Sequence, residues 1–122
     1  MLPDFFCTMN IEDLRKLCSS LPAVTEDIKW GNDLVFSIGG KMFCAASLEL
    51  PFTCSFKVKD EEFEELSNRN GFIPAPYSAK AKWVLVTDPS KLNKSEWKKY
   101  IKQSYELVKG KLTKKLRNEL GI

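Results

Sequence analysis

The spacing of apolar positions changes repeatedly along the chain, and each change marks an element. Ile11, Leu14, Leu17, Cys18 and Leu21 recur at helical spacing behind Asn10, a good N-cap, with Asp13 three residues on. The spacing predicts a first helix, stopped by Pro22. After a loop carrying Trp30-Gly31-Asn32-Asp33 the period falls to two. Leu34 to Ile38, Gly39-Gly40 and Lys41 to Leu48 read as a β-hairpin, because paired glycines supply the positive φ angles of tight primed turns. Phe52, Cys54, Phe56 and Val58 then alternate with Thr53, Ser55, Lys57 and Lys59. That is the pattern of an antiparallel strand with one buried face and one polar, partly basic face.

Asp60-Glu61-Glu62 opens a short helix that turns Phe63 and Leu66 inward, its acids suited to the positive end of the helix dipole. Asn70-Gly71 ends it, and a Pro-rich loop from Ile73 to Tyr77 leads to a strand from Lys82 to Thr87. Asn93 with Glu96 forms a capping box for the last long helix. Trp97, Tyr100, Ile101, Tyr105, Leu107, Val108 and Leu112 share its broad apolar face, with Lys98, Lys102 and Lys109 in a stripe beside it. Gly110 weakens the helix, and Thr113 caps a final turn or two with Leu116 and Leu120 inward and Lys114, Lys115 and Arg117 outward. The expected fold is α+β: a two-layer sandwich whose antiparallel sheet is covered by the N-terminal and C-terminal helices.

At 122 residues there is room for one core. Residues 9–122 read as a single domain and residues 1–8 as a flexible N-terminal extension, without the basic region and apolar stretch of a signal peptide. No apolar run approaches the roughly 20 residues that cross a bilayer. Histidine is absent, which removes Ser-His and Cys-His catalytic pairs and histidine-based zinc sites. Cys7, Cys18, Cys44 and Cys54 form no C-x-x-C pair and read as free thiols of a reducing cytoplasm. Cys44 and Cys54 can bridge if their strands are neighbours, a point the sequence leaves open. No metal-ligand spacing and no Gly-rich phosphate cradle is present, so the expectation is a non-enzymatic protein with no metal and no cofactor.

Charge changes this picture. The total is only +3, yet residues 91–122 hold ten Lys or Arg against three acids, while residues 1–90 hold nine against thirteen. A basic end on a slightly acidic body favours polyanions, because cations that neutralise phosphates release condensed counterions; a solvated helix surface is the plainer reading. Three segments are candidates for contact. In Pro74 to Val84, two prolines stiffen the approach to Lys80 and Lys82, which on an extended stretch point the same way with Trp83 opposite, toward the core. The hairpin tip Gly39-Gly40-Lys41 can serve as a wing, and the outer face with Thr53, Ser55, Lys57 and Lys59 as a polar surface.

Several segments taken in order resemble the MmcQ/YjbR family. They are Asn10 to Cys18, Leu21 to Glu26, Trp30-Gly31, Leu34-Val35-Phe36, Gly39 to Phe43, the P-x-P-Y segment with Lys80 and Trp83-Val84, and Ser104 to Val108 with Lys111-Leu112. The resemblance implies a small two-layer fold similar to frataxin-like and secretion-chaperone-like folds. It also implies a proposed DNA-binding role through protruding elements described as a double wing, with no agreed catalytic set. Many members of that family carry a His or another residue where this chain has Lys82, and Arg is common where it has Lys80. Lysine keeps the charge but lacks the bidentate fork, which disfavours base reading. The leading expectation is therefore a cytoplasmic DNA-binding protein of low sequence specificity, with Lys41, Lys80, Lys82, Lys98, Lys102, Lys114, Lys115 and Arg117 as phosphate contacts. The alternative is a protein-binding adaptor resembling secretion chaperones.

Overall fold

The computed structural model describes residues 9–76 and 78–122; the N-terminal extension and Tyr77 lie outside the described residues. Helix α1 (Ile11–Ser19) starts where Asn10 accepts the backbone N–H of Asp13. Strands β1 (Val24–Lys29), β2 (Asp33–Ile38), β3 (Lys41–Ser47) and β4 (Cys54–Lys57) follow, then α2 (Asp60–Ser67), β5 (Phe72–Pro74) and β6 (Trp83–Val86). The long helix α3 (Lys94–Lys109) and the short α4 (Lys114–Leu120) complete the chain, capped by Asn93 and Thr113 as their sequences demand. The six strands form one antiparallel sheet in the order β1-β2-β3-β4-β6-β5. The expected α+β fold is thus observed, with the helices packed on the sheet.

Register across the sheet fixes the core. Phe36, Cys44, Phe56 and Val84 stand side by side on one face, as do Leu34, Ala46, Cys54, Val86 and Phe72. α3 lies across β3 and β4 on that face and buries Trp97, Tyr100, Ile101, Tyr105 and Val108. Phe56 stacks on Tyr100 at 5.8 Å between ring centroids, and Phe43 meets Tyr105 edge-on at 5.5 Å. Trp83 is buried, as expected, but strand alternation places it on the opposite face from Val84 and Val86, outside the main cluster.

One buried polar side chain joins the two layers. The register between β2 and β3 slips after Phe36, leaving Phe43 as the extra residue of a β-bulge. β3 and β4 stop pairing beyond Cys44 and Phe56. The hydroxyl of Ser104, fully buried on α3, fills the gap: it accepts the backbone N–H of Lys57 at 2.9 Å and donates to the carbonyl of Phe43 at 2.5 Å. Two strand ends that no longer bond each other are both satisfied by the helix.

Three readings of the sequence need correction. The sequence predicts no element between Pro22 and Trp30, yet β1 lies there; its residues after Val24 are all exposed, so an edge strand carrying Glu26, Asp27 and Lys29 shows no apolar alternation. β5 hides in the Pro-rich loop because it is three residues long and ends in Pro74 at the opposite edge. Lys80 and Lys82 do not share an extended stretch. Lys80 lies in a single 3-10 turn (Ala79–Ala81), closed by bonds from Ala81 N–H to Ser78 and from Lys82 N–H to Ala79. Lys82 then takes a left-handed conformation with φ of 64°, and the strand begins only at Trp83.

Replacing Ser104 with Ala leaves the Lys57 N–H and the Phe43 carbonyl without their partner. The expected cost is about 1–3 kcal/mol, read as a lower urea midpoint with an unchanged slope.

Candidate nucleic-acid interface

An antiparallel sheet delivers its loops to two ends, and here the ends differ in chemistry. At one end lie the β2–β3 tip with Lys41, the end of β4 with Lys57, the turn carrying Lys80 and Lys82, and the α3–α4 junction with Lys111. At the other end lie the exposed Trp30, Leu48 and Leu50 of the β1–β2 and β3–β4 connections.

The cationic end is built by specific contacts. Gly39 is positioned so that a Cβ there would stand 2.8 Å from Cδ1 of Leu112 and 3.1 Å from Cδ2 of Leu116. Only glycine permits this approach at its φ of 59°, and it seats the hairpin tip on the α3–α4 junction. Lys41 therefore sits close to the segment bearing Lys111, Lys114 and Lys115. The half-buried Lys57 ammonium donates to the carbonyl of Ala81, and Val58 N–H bonds the carbonyl of Lys82. Lys82 places its ammonium 5.1 Å from the ring centre of Phe63 on α2. Burial lowers the pKa of Lys57, the charges of Lys111 and Lys82 lower it further, and Asp60 opposes them. Lysines from three separate segments thus stand close enough at this end for Lys111 and Lys82 to act on Lys57.

Of the expected contacts, Lys41, Lys80, Lys82, Lys114 and Lys115 lie at this end, all exposed except the half-buried Lys82. Lys102 is exposed on α3 near the level of Ser104, and Lys98 stands about 9 Å from Ser104 along the helix axis toward the other end. Arg117 is half-buried, and its Nε is buried with no partner among the described residues. Lys57 and Lys111 were not among the expected contacts. Lys57 is visible as the basic residue at a strand end, whereas nothing in the sequence brings Lys111 to it. The opening acids of α2 border the patch: Glu62 accepts from Gln103 of α3 and from the backbone of Lys59.

The thiols offer no nucleophile at this site. Cys18, Cys44 and Cys54 are fully buried and free, with the sulfurs of Cys44 and Cys54 3.5 Å apart. The bond to Cys44 and then burial push the Cys18 pKa up; for Cys44 burial leads. Among the described residues no group of three or more Cys, Asp or Glu side chains is placed to hold a metal ion. No described helix is long and apolar enough to cross a membrane.

A family model described as YjbR matches residues 19–107. Among solved structures, the Deinococcus radiodurans protein DR2400, which carries a DUF419 domain, is 30% identical with a TM-score of 0.83; the match covers 94% of this chain and 90% of that one. A protein from Pseudomonas syringae is similar in fold at 19% identity and a TM-score of 0.69, over 82% of this chain and 99% of the other. No curated protein matches the chain.

Proximity of the three lysines has a direct readout. In side-chain NMR titration, Lys57 is expected to lose its proton at lower pH than a free lysine, and Lys111→Glu to move that titration upward. Because its native pKa lies below the unfolded 10.5, this group makes folding more favourable as pH rises through the interval between them. A Lys57 titration unmoved by Lys111→Glu would separate the two charges.

Proposed function

The chain belongs to the YjbR family, and we propose that it is a non-enzymatic DNA-binding protein that grips phosphates with the lysines gathered at one end of its sheet. The observation that carries this reading is the packing of that end: the Lys57 ammonium donates to the carbonyl of Ala81 in the turn before Lys82, and Gly39 seats the hairpin tip against Leu112, next to Lys111. Lys41, Lys80, Lys114 and Lys115 extend the same end. Lysines bind phosphate as point charges, so the reading is of backbone contact with little discrimination among bases. The hairpin tip and the turn before β6 are the two protrusions that flank a bound backbone. In this reading the protein acts in the cytoplasm, where nucleic acid and reduced thiols coexist.

If about five lysines engage phosphates together, log K for a labelled duplex falls with log salt with a slope near −4.5. The paired reversal Lys82→Glu and Lys111→Glu is expected to weaken binding to every sequence alike and to flatten that slope by about two. Lys94→Glu, at the far end of α3, leaves the slope unchanged. Fluorescence anisotropy at several salt concentrations measures all three. A slope near zero, or equal losses for the patch and the control, overturns the reading.

A further inference from the structure

The open edge of the sheet carries a second message. β1 bonds β2 on one side only, and every residue from Thr25 to Lys29 is exposed. The N–H of Ile28 donates 2.9 Å to its neighbour's carboxylate, Asp27 Oδ1, so the backbone at this position faces the open edge. Ile28 is 59% exposed on the helix-covered face, beside Leu34, and Trp30 is 68% exposed at the turn that follows. Between α1 and β1 runs an open groove of about 550 Å³, whose lining includes Arg15, Glu26, Asp27, Ile28, Leu34 and Leu48. Arg15 and Glu26 pair across it at 2.5 Å, so charged and apolar groups share its lining.

We propose that β1 is a self-pairing edge: two copies of this chain join antiparallel through β1, with Ile28 facing Ile28 on the two-fold axis. An antiparallel pair related by an axis normal to the sheet keeps like faces together, so only registers that place a residue opposite itself are allowed. Centred on Glu26 or Asp27, such a register sets carboxylate against carboxylate. Centred on Ile28, it sets Asp27 opposite Lys29 of the second copy twice over, on the outer face. The N–H of Ile28, which points the required way, exchanges the Asp27 carboxylate for a ladder bond, and Asp27 turns to the facing lysine. The same register brings the turn after β1 of the second copy, with its exposed Trp30 in a left-handed conformation, toward the Glu26 end of the groove. Each copy thus offers one exposed indole and one open groove, and the pairing brings the two near each other. The second copy is the occupant the charges select, because Asp27-Ile28-Lys29 is complementary to itself when reversed.

Sedimentation velocity over low to high micromolar concentrations tests this on the full chain, with circular dichroism confirming that each variant folds. The expected wild-type result is a reversible dimer. Asp27→Lys and Lys29→Asp each set like charges opposite one another and are expected to weaken it about tenfold or more. The double variant D27K/K29D restores the opposite pairs and returns affinity to within about threefold of wild type. Trp30→Ala weakens the dimer without touching either charge. A wild-type protein that stays monomeric throughout overturns the proposal, as does a dimer indifferent to the single swaps or one that the double swap fails to rescue.

Discussion

A single hydroxyl decides how the two layers of this protein meet. β3 bulges at Phe43 and parts from β4, which exposes one carbonyl and one N–H inside the structure, and Ser104 closes both. An unsatisfied group there would carry a desolvation penalty comparable with a sizeable fraction of a small domain's stability. The helix is therefore held in rotation and in height, not merely pressed against the sheet by its apolar face. Everything downstream on α3 inherits that setting. Tyr105 reaches the carbonyl of Pro22 at 2.7 Å, and the helix end arrives beside the β2–β3 tip.

Segregation of chemistry then follows from topology. The strands return and collect their connections at two ends, so residues remote in sequence share an end by construction. Cations accumulate at the end where α3 terminates, and exposed apolar residues at the end where it begins. Lysine near a helix C-terminus is also locally favoured, because the partial negative charge of the last carbonyls attracts it. One arrangement thus serves both the stability of α3 and the positive potential of that end.

How much of this the sequence disclosed varied with the kind of signal. Elements with a buried face and a cap were readable: α1 from Asn10, α3 from Asn93 and Glu96, and the hairpin from Gly39-Gly40, because each carries periodicity and punctuation together. Edge strands were not, since β1 buries almost nothing and β5 is three residues ending in proline. The left-handed Lys82 broke the assumption that two lysines spaced by two point alike. Most of the expected cations do lie at one end, but Lys111 joined them only through the packing of Gly39 against Leu112, a contact between positions more than seventy residues apart. The interior position of Arg117 Nε was equally invisible, as a guanidinium on a short terminal helix ordinarily reads as solvated.

The three sulfurs at the centre of the sandwich carry a consequence for the protein's chemistry over time. Cys18 on α1, Cys44 on β3 and Cys54 on β4 bind separate elements to one small volume that solvent does not enter. An electrophile can reach them only when the layers come apart. The rate at which they acquire an adduct is then set by how often the elements that cover them open, detachment of α1 from the sheet included. Ageing of this molecule under oxidative stress would consequently follow those openings, and an enlarged sulfur would oppose reclosure of the packed layers.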